Sequence, residues 1–134
     1  MKVDTITRAY KEYDATLKNV QWSISAWNTK GELVVSLWEH SRVKGSPLGT
    51  VQFRNGRPVS YISNGQKEFL KNIEKAYNTG STLRLVLVRA EDPDSIEKGE
   101  SGSGKIEFIS VRPTWIGKVL KFNPTEFVIE FRAK

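Results

Sequence analysis

At 134 residues, 38% hydrophobic and 27% charged, the chain is long enough to fold as one domain around a buried core. It has no cysteine, which excludes disulfides, zinc–thiolate centres and thiol catalysis. The net charge of +6 is uneven: residues 41–90 carry nine basic and two acidic side chains, whereas residues 91–100 carry one basic and five acidic ones. A basic middle of this kind suits a polyanionic partner.

The opening stretch, MKVDTITRAYKEYD, is too polar for a secretory h-region, and no apolar run approaches membrane-spanning length. Together with the absence of cysteine, this predicts a cytoplasmic protein with no membrane partner. Asp4 is positioned to cap a first helix reaching to about Leu17. Ile6, Ala9, Tyr10, Tyr13 and Leu17 give that helix one apolar stripe.

Val20 to His40 is the element around which the rest is organised. Two strand-like arms, Val20–Trp27 and Leu33–Glu39, flank a turn at Asn28–Gly31 in which Gly31 supplies positive φ. With the turn confined to those residues, Val20, Trp22, Ile24 and Ala26 share a core face with Leu33, Val35 and Leu37. The other face then collects Ser25, Trp27, Ser36, Trp38 and His40. A bulge at Gly31 shifts the register by one residue and exchanges these partners.

After a polar loop at 41–49, two further strand-like runs, TVQF and RPVSYI, enclose Asn55-Gly56, with Arg54 and Arg57 beside it. Ser63 or Asn64 can cap a second helix over about Gly65–Tyr77. Its buried face is Phe69, Leu70, Ile73, Ala76 and Tyr77, and Lys67, Lys71 and Lys75 form an exposed row. Thr82–Arg89 is nearly continuous apolar and β-branched and predicts a central strand covered on both faces. Residues 90–104 predict a long, mobile, acidic and then Gly/Ser-rich loop. Lys105–Val111, Thr114–Phe122 and Glu126–Arg132 predict three more strands, with Phe127, Ile129 and Phe131 on one buried face.

These elements predict a single α+β domain over residues 1–134. Its sheet is curved, mostly antiparallel or mixed, of about six to eight strands, with two helices packed on it. Several motifs fail on context. GESGSGK at 99–105 has most of a phosphate-binding loop, yet an acidic loop precedes it, a strand follows it, and Ile106 stands where magnesium needs a hydroxyl. No nucleotide pocket is expected there. Pro93-Asp94 and Glu97-Lys98 imitate a nuclease signature at a spacing too short for two strands. The single histidine, His40, cannot build a histidine metal site, and no GxSxG elbow accompanies it.

The function expected from the sequence is nucleic-acid binding, to DNA or RNA, with recognition of an unstacked or modified base in an aromatic pocket. Arg54, Arg57, Lys67, Lys71, Lys75 and Arg84 are the candidate contacts to nucleic acid. Trp27, Trp38, Ser25, Ser36 and His40 are the candidate pocket, since indoles stack bases and small hydroxyls read their edges. The rival expectations are a protein-interaction or inhibitor module that uses the acidic loop, and a hydrolase or nuclease built on His40. No cofactor, metal or catalytic set is expected.

Overall fold

The computed structural model describes residues 2–43, 47–54, 59, 63–98, 106–123 and 125–133, and arranges them in eight strands and three helices. The central strand is β5 (Leu83–Ala90). On one side it runs parallel to β3 (Leu33–Trp38), in register from Leu33↔Leu83 to Trp38↔Val88. On the other side β6 (Ile106–Val111) covers its C-terminal half, and β7 (Trp115–Asn123) reaches its first residue through Leu83↔Gly117. β7 continues antiparallel to β8 (Glu126–Ala133), and β8 to β4 (Thr50–Arg54). β1 (Lys2–Val3) edges β6, and β2 (Ser25–Trp27) edges β3. The sheet is therefore mixed, mostly antiparallel and open. A bridge between Arg42, just past β3, and Phe53 of β4 draws the last strand of this path back toward β3. The sheet curls, and a gap remains between β3 and β4.

The apolar run of β5 is explained by cover on both faces. Leu83, Leu85 and Leu87 join Leu33, Val35 and Leu37 in a core under α2 (Ser63–Thr79), which contributes Phe69, Ile73 and Ala76. Val86 and Val88 join Val34 and Trp38 in a second core, under α1 (Ile6–Lys11), with Ala9 and Tyr10. Phe127, Ile129 and Phe131 share the α2 side, with Ile129 and Phe131 fully buried. Gly117 lies against the Phe131 ring, and a Cβ built on it comes within 2.5 Å of two ring carbons.

Four local expectations are corrected. The first helix is one short element capped by Thr5, whose side chain accepts from the Arg8 amide at 3.1 Å; Asp4 pairs with the Arg8 guanidinium instead. The chain leaves the helix before Leu17 because Asp14 turns to φ 60° and Ala15 bridges to Asn28. The first hairpin arm is only Ser25–Trp27, because Asn19 organises a turn: its carbonyl accepts from the Trp22 and Ser23 amides, and Val20 is 66% exposed. The second helix runs from Ser63 to Thr79, and Leu70 and Tyr77 stand at its exposed margin rather than in the core. Part of the acidic segment is a third helix, α3 (Pro93–Lys98). Asp92 caps it through Ser95, proline occupies its first position, and Ile96 is buried in the α1-side core. The Asn55-Gly56 turn, Arg57, most of the RPVSYI run and the GESGSGK stretch lie outside the described residues. Among the described residues no helix is long and apolar enough to cross a membrane.

Candidate functional site

The hairpin loop decides where its aromatics go. Asn28 Oδ1 accepts from the amides of Lys30 and Glu32, the Asn28 amide donates to the Glu32 carbonyl, and Gly31 sits at φ 77°. Glu32 is thereby drawn into the turn, and the strands pair Trp27↔Leu33 and Ala26↔Val34. This is the shifted register. Ser25 and Trp27 face α2 with Leu33 and Val35, whereas Ser36 and Trp38 face the α1 side with Ala26 and Val34. The expected single pocket of Ser25, Trp27, Ser36, Trp38 and His40 is split across the sheet.

On the α2 side the indole Nε1 of Trp27 donates to Asn72 Oδ1 at 3.1 Å, and Asn72 Nδ2 donates to Ser25 Oγ at 2.9 Å. Lys75 Nζ lies 4.9 Å from the Trp27 ring centroid. These contacts staple α2 to β2 and engage both the indole N–H and the ring of Trp27, which is left partly exposed. On the other side Trp38 is 2% exposed and stacks on His40 at 5.6 Å. His40 Nε2 lies 3.0 Å from Glu97 Oε2 and so ties α3 to the turn after β3. Among the described residues Ser41 Oγ and His40 Nδ1 are both buried without a hydrogen-bond partner, so they are not bonded to each other and form no Ser–His pair. Among the described residues no three metal-ligating side chains converge.

The candidate cations are also dispersed. Lys67, Lys71 and Lys75 are exposed on α2. Arg54 alternates with Phe53, which packs under α2, so Arg54 projects from the opposite face of β4. Arg54 therefore does not share a face with the α2 lysines, and Arg57 lies outside the described residues. Arg84 is mostly buried and structural: its guanidinium lies over Tyr13 at 5.0 Å, 3.5 Å from Glu32 Oε1, and donates to the Pro113 carbonyl.

What sequence reasoning missed is the gap between β3 and β4. It is a cleft of about 190 Å³ under the N-terminal half of α2. Trp38, Phe53, Phe69 and Phe127 give it aromatic walls, Ile24, Leu37 and Leu70 add aliphatic ones, and Ser36, Ser41 and Gln66 are its polar members. Arg42 is directly opposite Phe53 in the bridge, so it leaves the sheet on the cleft side and is exposed. Lys67 follows Gln66 on the helix and lies one turn before Leu70 at the mouth. Among the described residues neither Arg42 nor Lys67 has an ion-pair partner.

Comparison with protein-family models, curated proteins and solved structures found no match.

The cleft lies below the roughly 300 Å³ at which drug-sized ligands begin. It has room for a single ring system or a short aliphatic group. Aromatic walls favour a flat occupant, and the exposed cations Arg42 and Lys67, next in the chain to the lining residues Ser41 and Gln66, favour one attached to an anion.

Proposed function

We propose that the protein is a nucleic-acid-binding module that takes an unstacked base into the cleft between β3, β4 and α2, and meets the adjoining phosphates with Arg42, Lys67 and Lys71. The observation that carries this reading is the aromatic-walled cleft, with exposed Arg42 and Lys67 next in the chain to its lining residues Ser41 and Gln66 and neither cation neutralised by a described carboxylate. Stacking contributes about 1–3 kcal/mol per base, and each phosphate contact adds a salt-dependent increment. The binding group is therefore not the hairpin face but the curled end of the sheet. Its cysteine-free composition suits work in a reducing cytoplasm.

The test is a titration against single- and double-stranded DNA and RNA at two salt concentrations. Single strands are expected to bind more tightly, with affinity falling as salt rises. Replacing Lys67 and Lys71 together by glutamine should flatten the log–log salt slope by about two units. Leu70→Trp, made at a residue 44% exposed at the cleft mouth, should lower affinity with the slope unchanged. Failure to bind any of the four at low salt would remove this function. Capture of acidic peptides in its place would favour a protein-interaction module.

A further inference from the structure

The polar atoms of the cleft allow its ligand to be narrowed, an inference that rests on the base-binding reading above. Tyr10 is fully buried, and its hydroxyl lies 2.7 Å from Ser36 Oγ. Burial raises the pKa of this phenol far above its ordinary value; the Ser36 hydrogen bond opposes that rise, and the nearby Glu68 carboxylate adds to it. The hydroxyl therefore keeps its proton and must place it on an acceptor. Among the described residues Glu68 Oε1 is buried with no hydrogen-bond partner, so it does not receive that proton. Ser36 Oγ is the hydrogen-bond partner of the Tyr10 hydroxyl among the described residues; either oxygen can donate, and the phenol proton is satisfied when Ser36 accepts.

Once Ser36 accepts from Tyr10, its own proton is unspent. Ser36 is 1% exposed and lines the cleft. Ser41 lines the same cleft, and its hydroxyl is buried without a partner among the described residues. Two hydroxyl protons are thus available in a cleft whose one other polar lining residue among the described residues is Gln66. A ligand that offers an acceptor satisfies them. A ligand that offers an N–H group leaves the Ser36 proton buried and unpaired, which costs more than the bond it gains.

We infer that the cleft selects a ring carrying a carbonyl oxygen, an oxo-base, over a ring with an amino group at the same edge, and that Tyr10 is the positioning residue that sets this preference through Ser36. The experiment measures affinity for short oligo(dU) and oligo(dC) strands, in which the O4 carbonyl and N3–H of uracil become an amino group and an unprotonated N3 while the O2 carbonyl is common to both. The wild-type protein should favour oligo(dU) roughly two- to tenfold, the value of one neutral hydrogen bond. Tyr10→Phe frees Ser36 to accept as well as donate, so the ratio should collapse toward one. Ser41→Ala, at a partly exposed turn, should weaken oligo(dU) more than oligo(dC). A purely structural role for either hydroxyl would weaken both strands together and leave the ratio intact. Equal wild-type affinity for the two strands overturns this inference while leaving the nucleic-acid reading standing. Absence of binding to both overturns the two together.

Discussion

Replacing Gly117 by alanine tests whether the centre of the sheet is as tightly closed as its geometry implies. The added Cβ would lie 2.5 Å from Phe131 Cδ1 and Cε1 and 3.1 Å from Cζ. Carbon atoms pack best at about 3.5–4.0 Å, so two of these contacts fall about 1 Å short. Neither side has room to retreat. Phe131 is fully buried and meets Phe53 edge to face at 6.0 Å, while Gly117 is held by Leu83 on one strand and Phe131 on the other. Removing a glycine from a strand ordinarily gains about 0.5–1 kcal/mol of unfolded-state entropy. Overpacking a closed core costs about 1–3 kcal/mol. The clash therefore outweighs the gain, with a net loss of about 1–2 kcal/mol. At about 3–5 °C per kcal/mol for a chain of this size, the thermal midpoint should fall by about 3–10 °C. Urea unfolding followed by tryptophan fluorescence, together with a thermal melt, measures both quantities. Adding Phe131→Leu should relieve the overlap, so the double variant should be more stable than the sum of the two single losses, by about 0.5 kcal/mol or more. An unchanged or raised midpoint for Gly117→Ala, or strict additivity in the pair, would refute the reasoning.

Arg84→Ala removes the cation that faces both Glu32 and the Tyr13 ring; with both charges partly solvated the expected loss is about 2 kcal/mol, read by urea unfolding. Trp27→Phe breaks the bond to Asn72 and should cost about 1 kcal/mol of stability while leaving nucleic-acid affinity unchanged, which separates the stapling indole from the cleft. Arg54→Gln, on the far face of β4, should alter neither the salt slope nor the affinity in the same titrations. The Asp92 carboxyl is held below the ordinary carboxylate value, first by the Ser95 hydroxyl and then by the Ser95 amide. Because the folded value is the lower one, its support of α3 is complete above the ordinary carboxylate range and is lost as pH falls through the depressed value. Amide exchange at Ser95 and Ile96, compared at matched intrinsic rates, should therefore accelerate only at acid pH below that of a free aspartate; acceleration at the ordinary value would contradict the capping geometry.

The strands of the second half were legible because their signals are local. The apolar run of β5 and the alternation of Phe127, Ile129 and Phe131 need no knowledge of partners. The hairpin register was not legible, because it turned on whether Asn28 would gather Glu32 into the loop, a matter of one side-chain oxygen. That single residue moved Trp27 and Trp38 to opposite sides of the sheet. The cleft was less accessible still. Phe53, Phe69 and Phe127 each carry an ordinary core signature, and only the bridge from Arg42 to Phe53 makes their meeting place a gap. The lysine row was foreseen as exposed, since helical spacing fixes which side of α2 faces water. The burial of Arg84 was not, since its acceptor at Pro113 comes from the bend between β6 and β7.

The parallel pairing of β3 with β5 also sets an order of events during synthesis. β3 ends at Trp38, and its partner is not complete until Ala90. At about 5–20 residues per second, the ribosome takes roughly 3–10 s to supply the intervening chain. For that interval Leu33–Trp38, six consecutive residues that end up buried, has only the three residues of β2 to pair with. A growing chain thus displays an apolar strand with an open edge, the kind of segment that attracts holdase chaperones or a neighbouring nascent chain. Slowing translation between residues 40 and 80 lengthens that display, and its cost falls on yield rather than on the stability of the finished protein.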